Sequence, residues 1–146
     1  LMDTYREIIH EDFFSPSMET GSDVELPAKL RWGGSEDADG VAIDLHFDSN
    51  PVFCEAYFDD DNVGMNLMIE LNGHWFYKAP GVKCIDMMSA FFKKPLDGAK
   101  DMTLKIFAPP ASGENDESQG DDWQTNYYTE LKSLPQIRIR FAPIVK

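Results

Sequence analysis

The chain has 146 residues, 42% of them hydrophobic and 12% aromatic, enough for one domain with a substantial core and too apolar for a disordered polymer. Its formal net charge of -13 argues against sequence-independent binding to nucleic-acid backbones or to anionic membranes, both of which need clustered Lys and Arg. That acidity favours a solvated surface, a basic partner or divalent cations.

In chain order, Leu1, Met2, Tyr5, Ile8, Ile9, Phe13 and Phe14 recur at helical spacing. They predict a helix over about 1–14 that stops near Ser15-Pro16, because the residue before a proline is pushed out of the helical region. The helix opens mid-pattern without a cap, as if continuing from an apolar segment upstream. Residues 24–32 read as a broken strand, with Pro27 confining it to an edge or a bulge. Gly33 to Gly40 is a loop.

The run Val41-Ala42-Ile43-Asp44-Leu45-His46-Phe47-Asp48 alternates cleanly, its apolar residues on one face and Asp44, His46 and Asp48 on the other. A short strand is expected from Phe53 to Phe58, before a turn at Asp59-Asp60-Asp61-Asn62. Residues 65–71 and 74–77 flank Asn72-Gly73 and predict a β-hairpin with a type I′ turn, since both turn residues tolerate positive φ. On that second strand Trp75 and Tyr77 share one face and Phe76 takes the other. Cys84, Met87, Met88, Phe91 and Phe92 suggest a short helix, with a strand as the alternative. Met102-Leu104-Ile106 and Ile137-Ile139-Phe141 give two C-terminal strands, joined by a loop rich in Gly, Ser and acid. The expected fold class is α+β: one domain over 1–146, an N-terminal helix stub packed on a mostly antiparallel sheet.

Few residues carry recognisable chemistry. Asp44, His46 and Asp48 could present metal ligands, but residues two apart on a strand are separated by about 6.6 Å, so three are ill placed for one ion. Glu114, Asp116, Glu117, Asp121 and Asp122 put five carboxylates into nine positions. They are weak calcium candidates, lacking the order of an EF-hand loop. The histidines His10, His46 and His74 stand near no nucleophile motif, and neither a catalytic residue nor a cofactor site is assigned. Cys54 and Cys84, thirty positions apart, are either one disulfide or two free thiols. Trp75, Tyr77 and Trp123 could contact a protein or stack on sugar rings.

The last third orders its features distinctively: Leu96-Asp97-Gly98-Ala99, the strand ending at Ile106, a loop reaching Asp122-Trp123, then Leu134-Pro135 leading the final strand. Together with Ile9-His10-Glu11-Asp12-Phe13-Phe14 in the stub, this order resembles the soluble domain of J-type minor pseudopilins, pilin-like proteins of type II secretion systems. The family's arginine near the helix end is replaced here by Ser15-Pro16. The resemblance implies a structural protein of the protein-transport apparatus and no enzymatic activity. It implies a periplasmic domain anchored in the inner membrane through a preceding apolar helix, with other minor pseudopilins near the pseudopilus tip as partners. The alternative is a periplasmic or cell-surface carbohydrate-binding β-domain that uses the Trp75/Tyr77 face.

Overall fold

A computed structural model of the protein describes residues 24–32, 40–110 and 128–142. Nine strands run in chain order: β1 (Ala28–Arg31), β2 (Val41–Phe47), β3 (Pro51–Tyr57), β4 (Leu67–Leu71), β5 (His74–Lys78), β6 (Cys84–Asp86), β7 (Lys100–Phe107), β8 (Tyr128–Leu131) and β9 (Gln136–Phe141). They form three antiparallel sheets: β2-β7-β4-β5, β6-β3-β9 and the pair β1-β8.

The architecture corrects the α+β expectation. Strands hold 51% of the described residues, and the helical content is 4%, a single 3-10 turn at Met88–Phe91. The helix expected over 1–14 lies outside the described residues. The helical spacing read between Cys84 and Phe92 has two separate sources. Cys84–Asp86 pairs with Tyr57, Ala56 and Glu55 of β3. The turn that follows then brings Met87, Ala90 and Phe91 inward over one tight loop, opened by the Asp86 carboxylate accepting the Met88 N–H at 2.9 Å.

Alternation decides the rest. Along β2 every odd residue is buried and every even one exposed. The core joins Val41, Ile43, Leu45 and Phe47 of β2 to Leu67, Ile69 and Leu71 of β4, and to Leu104 and Ile106 of β7. On the second sheet it takes Cys54 and Ala56 of β3, Ile85 of β6, and Ile137, Ile139 and Phe141 of β9. Phe47 spans the two, its ring 5.0 Å from Phe91 and 6.3 Å from Phe141.

Polar side chains fasten the loops. Asn62 donates to the Ser133 carbonyl at 2.6 Å and accepts from the Lys132 N–H at 3.1 Å, tying the Asp59–Asn62 turn to the β8–β9 connection. Asn50 pairs with both main-chain groups of Leu96, at 2.7 and 3.2 Å.

Gly40, at the entrance to β2, is required by close approach. A Cβ there would stand 2.5 Å from the Phe107 ring and 2.7 Å from the Ile106 carbonyl oxygen. The backbone oxygen cannot swing aside as a side-chain tip can. Gly40→Ala should cost about 1–3 kcal/mol, the usual range for overpacking, readable as a lowered urea midpoint with an unchanged slope.

Candidate functional site

The outer face of β2-β7-β4-β5 is built by the hairpin and the register. Asn72 (φ 54°) and Gly73 (φ 78°) form the two-residue turn anticipated from the sequence. Glu70 then lies opposite Trp75 and Met68 opposite Tyr77. The same rows continue into β7, with Met68 against Phe107 and Glu70 against Lys105. Because directly opposed residues share a face, Trp75, Tyr77, Met68 and Phe107 project together to the outside.

Trp32, just beyond β1, completes an aromatic cluster. Its ring is 5.2 Å from Trp75 at 64° and 6.3 Å from Phe107 at 83°, while Trp75 and Phe107 are 5.8 Å apart. Trp75 stays 43% exposed and Tyr77 55% exposed. The Tyr77 hydroxyl donates to Asn66 Oδ1 at 3.0 Å. The sequence placed Trp75 and Tyr77 on one face, and the structure keeps them there. Trp32 and Phe107 went unrecognised. Phe107 could have been found from its parity, one step out of phase with buried Ile106, whereas Trp32 joins only through the packing of β1. Trp123 lies outside the described residues, as do the calcium candidates Glu114, Asp116, Glu117, Asp121 and Asp122, and His10.

The opposite end of the same face is polar. Asp44 accepts from the Thr103 hydroxyl at 3.1 Å. His46 bridges two carboxylates, with Nδ1 2.5 Å from Asp101 and Nε2 3.1 Å from Asp48. A shallow depression of about 420 Å³ is lined by Asp44, Leu45, His46, Asp101, Met102 and Thr103. Among the described residues no group of three His, Cys, Asp or Glu side chains is arranged to hold a metal ion. Asp44 and His46 are instead spent on neighbouring side chains.

The hydrogen bond to Asp101 raises the His46 pKa above 6.5, and the charge of Asp48 adds to it. Both ring nitrogens can donate only in the protonated form. The pair's contribution to stability is therefore complete below pH 6.5 and is lost as the pH climbs through the raised folded value. An NMR titration of the imidazole should show a midpoint above 6.5 that falls back in Asp101→Asn.

The cysteines take the free-thiol alternative. Cys84 sits opposite Tyr57 and therefore on the outer face of β6-β3-β9, while Cys54, three residues back along β3, points into the core. A bridge would have to pass through the sheet. Burial pushes Cys54 up to about 12, and burial with the Glu55 hydrogen bond pushes Cys84 up to about 11, so neither is a thiolate nucleophile at neutral pH. Around them, Arg138 bonds Glu55 at 3.2 Å and stacks 4.8 Å over Tyr57, and Arg140 lies 4.9 Å over Phe53.

No helix among the described residues is long and apolar enough to cross a membrane. No protein-family model, curated protein or solved structure matches the chain.

Proposed function

We propose that the chain is an assembly subunit of a pilin-like filament, a minor pseudopilin of a type II secretion-like system, working in the periplasm without catalytic turnover. Its contact with neighbouring subunits is the outer face of the four-stranded sheet. The observation that carries an assembly role is the aromatic cluster of Trp32, Trp75 and Phe107, with Tyr77 exposed on the same face. Large aromatics left partly exposed in one group are the composition of an interaction hot spot. The family is suggested by the order of Leu96-Asp97-Gly98-Ala99, Asp122-Trp123 and Leu134-Pro135 around the two C-terminal strands.

The inclination of the rings favours a protein partner over a sugar. Trp32 meets Trp75 at 64° and Phe107 at 83°. Rings held edge to face turn part of their π surface toward one another, and a sugar platform needs open, upward-facing rings. A rounded apolar knob suits a pocket on another protein. The charge of -13 favours basic residues around that pocket.

Mixing the domain with the soluble domains of co-encoded minor pseudopilins and running size-exclusion chromatography tests this reading. A co-eluting complex is expected, weakened by about 2 kcal/mol or more in Trp75→Ala, the loss typical of an aromatic anchor. Absence of any complex, together with glycan-array binding that disappears in Trp75→Ala, would favour the carbohydrate-binding alternative.

A further inference from the structure

Among the described residues, the hairpin geometry leaves one side of β5 open. In a two-residue type I′ hairpin the closing pair, here Leu71 and His74, exchanges both main-chain hydrogen bonds, and bonded pairs then recur at every second position. Ile69 with Phe76 and Leu67 with Lys78 are thus the inward-bonded pairs. The N–H and C=O groups of Trp75 and Tyr77 point away from β4. β5 pairs with β4 alone, and among the described residues no main-chain partner meets those groups.

Edge strands are normally blunted by charge, proline, a bulge or shortness. The other edge of this sheet, β2, follows the rule, with Asp44 and His46 at its exposed positions. β5 does not. Its register is unbroken over five pairs, it contains no proline, and its exposed side chains are Trp75 and Tyr77. A third exposed apolar residue, Phe92 at 70%, lies beside the hairpin turn, where Asn72 Nδ2 donates to the carbonyls of Ala90 and Lys94 at 2.9 Å.

The two ends of the edge differ in charge. Exposed Lys93 and Lys94 adjoin the turn. At the other end Lys78 reaches the carbonyls of Val63 and Met65, two and four residues beyond the Asp59–Asp61 turn, where Lys83 pairs with Asp60 at 3.5 Å and the three carboxylates keep a net negative charge.

We propose that the free edge of β5 is a strand-addition site for an extended segment of a partner protein. The segment pairs antiparallel, sets apolar side chains against Trp75 and Tyr77, and carries a basic N-terminal end toward the Asp59–Asp61 turn and an acidic C-terminal end toward Lys93–Lys94. Main-chain bonds to residues 75 and 77 supply the pairing, the aromatic side chains select apolar partners, and the charge gradient fixes direction. The site rests on reading this face as an assembly contact and adds how the partner is held.

Amide hydrogen exchange on the isotope-labelled domain tests it. The probe is a nine-residue peptide of alternating valine and threonine with two lysines at its N-terminus and two glutamates at its C-terminus. In the free domain the amides of Trp75 and Tyr77 should exchange rapidly and that of Phe76 slowly. Peptide should slow the first two by about tenfold or more and leave Phe76 little changed. The peptide with its charged ends exchanged should protect them less at equal concentration. Tyr77→Pro, which removes an outward N–H that an edge position can spare, should abolish protection at Trp75, whereas Tyr77→Thr should retain it. Protection of residues 75 and 77 already in the free domain, or no protection by either peptide at millimolar concentration, would overturn the site. If cognate subunits bind through Trp75 without slowing these amides, the strand-addition site fails and the assembly reading stands. If the peptide protects the edge but no subunit binds, the reverse holds.

Discussion

Lys78→Met is expected to destabilise the domain by about 1–3 kcal/mol, the cost of one buried acceptor left unpaired. Lys78 is fully buried at the end of β5. Its ammonium donates to the carbonyls of Val63, Met65 and Ala79 at 2.8, 2.8 and 3.1 Å and lies 5.3 Å from the Phe58 ring centroid. Methionine fills a similar volume but donates nothing. Val63 would keep the N–H of Gly81 at 2.7 Å and Ala79 that of Val82 at 3.2 Å, so most of the loss falls at Met65. Part is offset because no cation need then be desolvated. The pH dependence separates these terms. Burial holds the Lys78 pKa below 10.5, so the desolvation penalty is present in full below the depressed folded value. It is relieved as pH rises from there toward 10.5, because in that window the unfolded chain binds the proton more tightly. The stability gap between wild type and Lys78→Met should therefore widen with alkaline pH across that window, as measured by urea unfolding.

Phe47→Ala should cost about 3–5 kcal/mol, the range for emptying a large aromatic from a core that cannot fully collapse. Phe47 ends β2, is fully buried, and touches the 3-10 turn through Phe91 and the second sheet through Phe141. Its loss loosens both sheets at once. With total stabilities of about 5–15 kcal/mol usual for such domains, this is a large fraction. A thermal melt should fall by roughly 10–15 °C, taking about 3 °C per kcal/mol at this size. Phe47→Leu, which leaves less space, should cost clearly less.

How legible the molecule was in its sequence depended on whether each signal was local. The alternation of Val41 to Phe47 and the Asn72-Gly73 turn are settled by neighbouring residues, and both appear as read. Parity alone put Trp75 and Tyr77 on one face, and their exposure shows it to be the outer one. The short helix read between Cys84 and Phe92 misled because residues 84–92 mix two periods: Ile85 is buried by strand pairing, and Met87, Ala90 and Phe91 by a single tight turn. Their sum imitates a helix. The cysteine question turned on pairing register, which placed Cys84 opposite Tyr57 and so across the sheet from Cys54. Lys78 drew no notice in the sequence, because its three acceptors come partly from a loop fifteen residues earlier. Trp32 was hidden for the same reason, as it reaches Trp75 only once the tertiary packing exists.

The assembly role is tested most directly by a photo-crosslinking amino acid placed at position 77, and separately at position 44 on the far edge of the same outer face, in cells that make the full set of pilin-like subunits. Position 77 should yield a discrete adduct with another minor pseudopilin, and position 44 should yield little. Equal labelling from both positions, or no adduct to any pilin-like subunit from position 77, would contradict it.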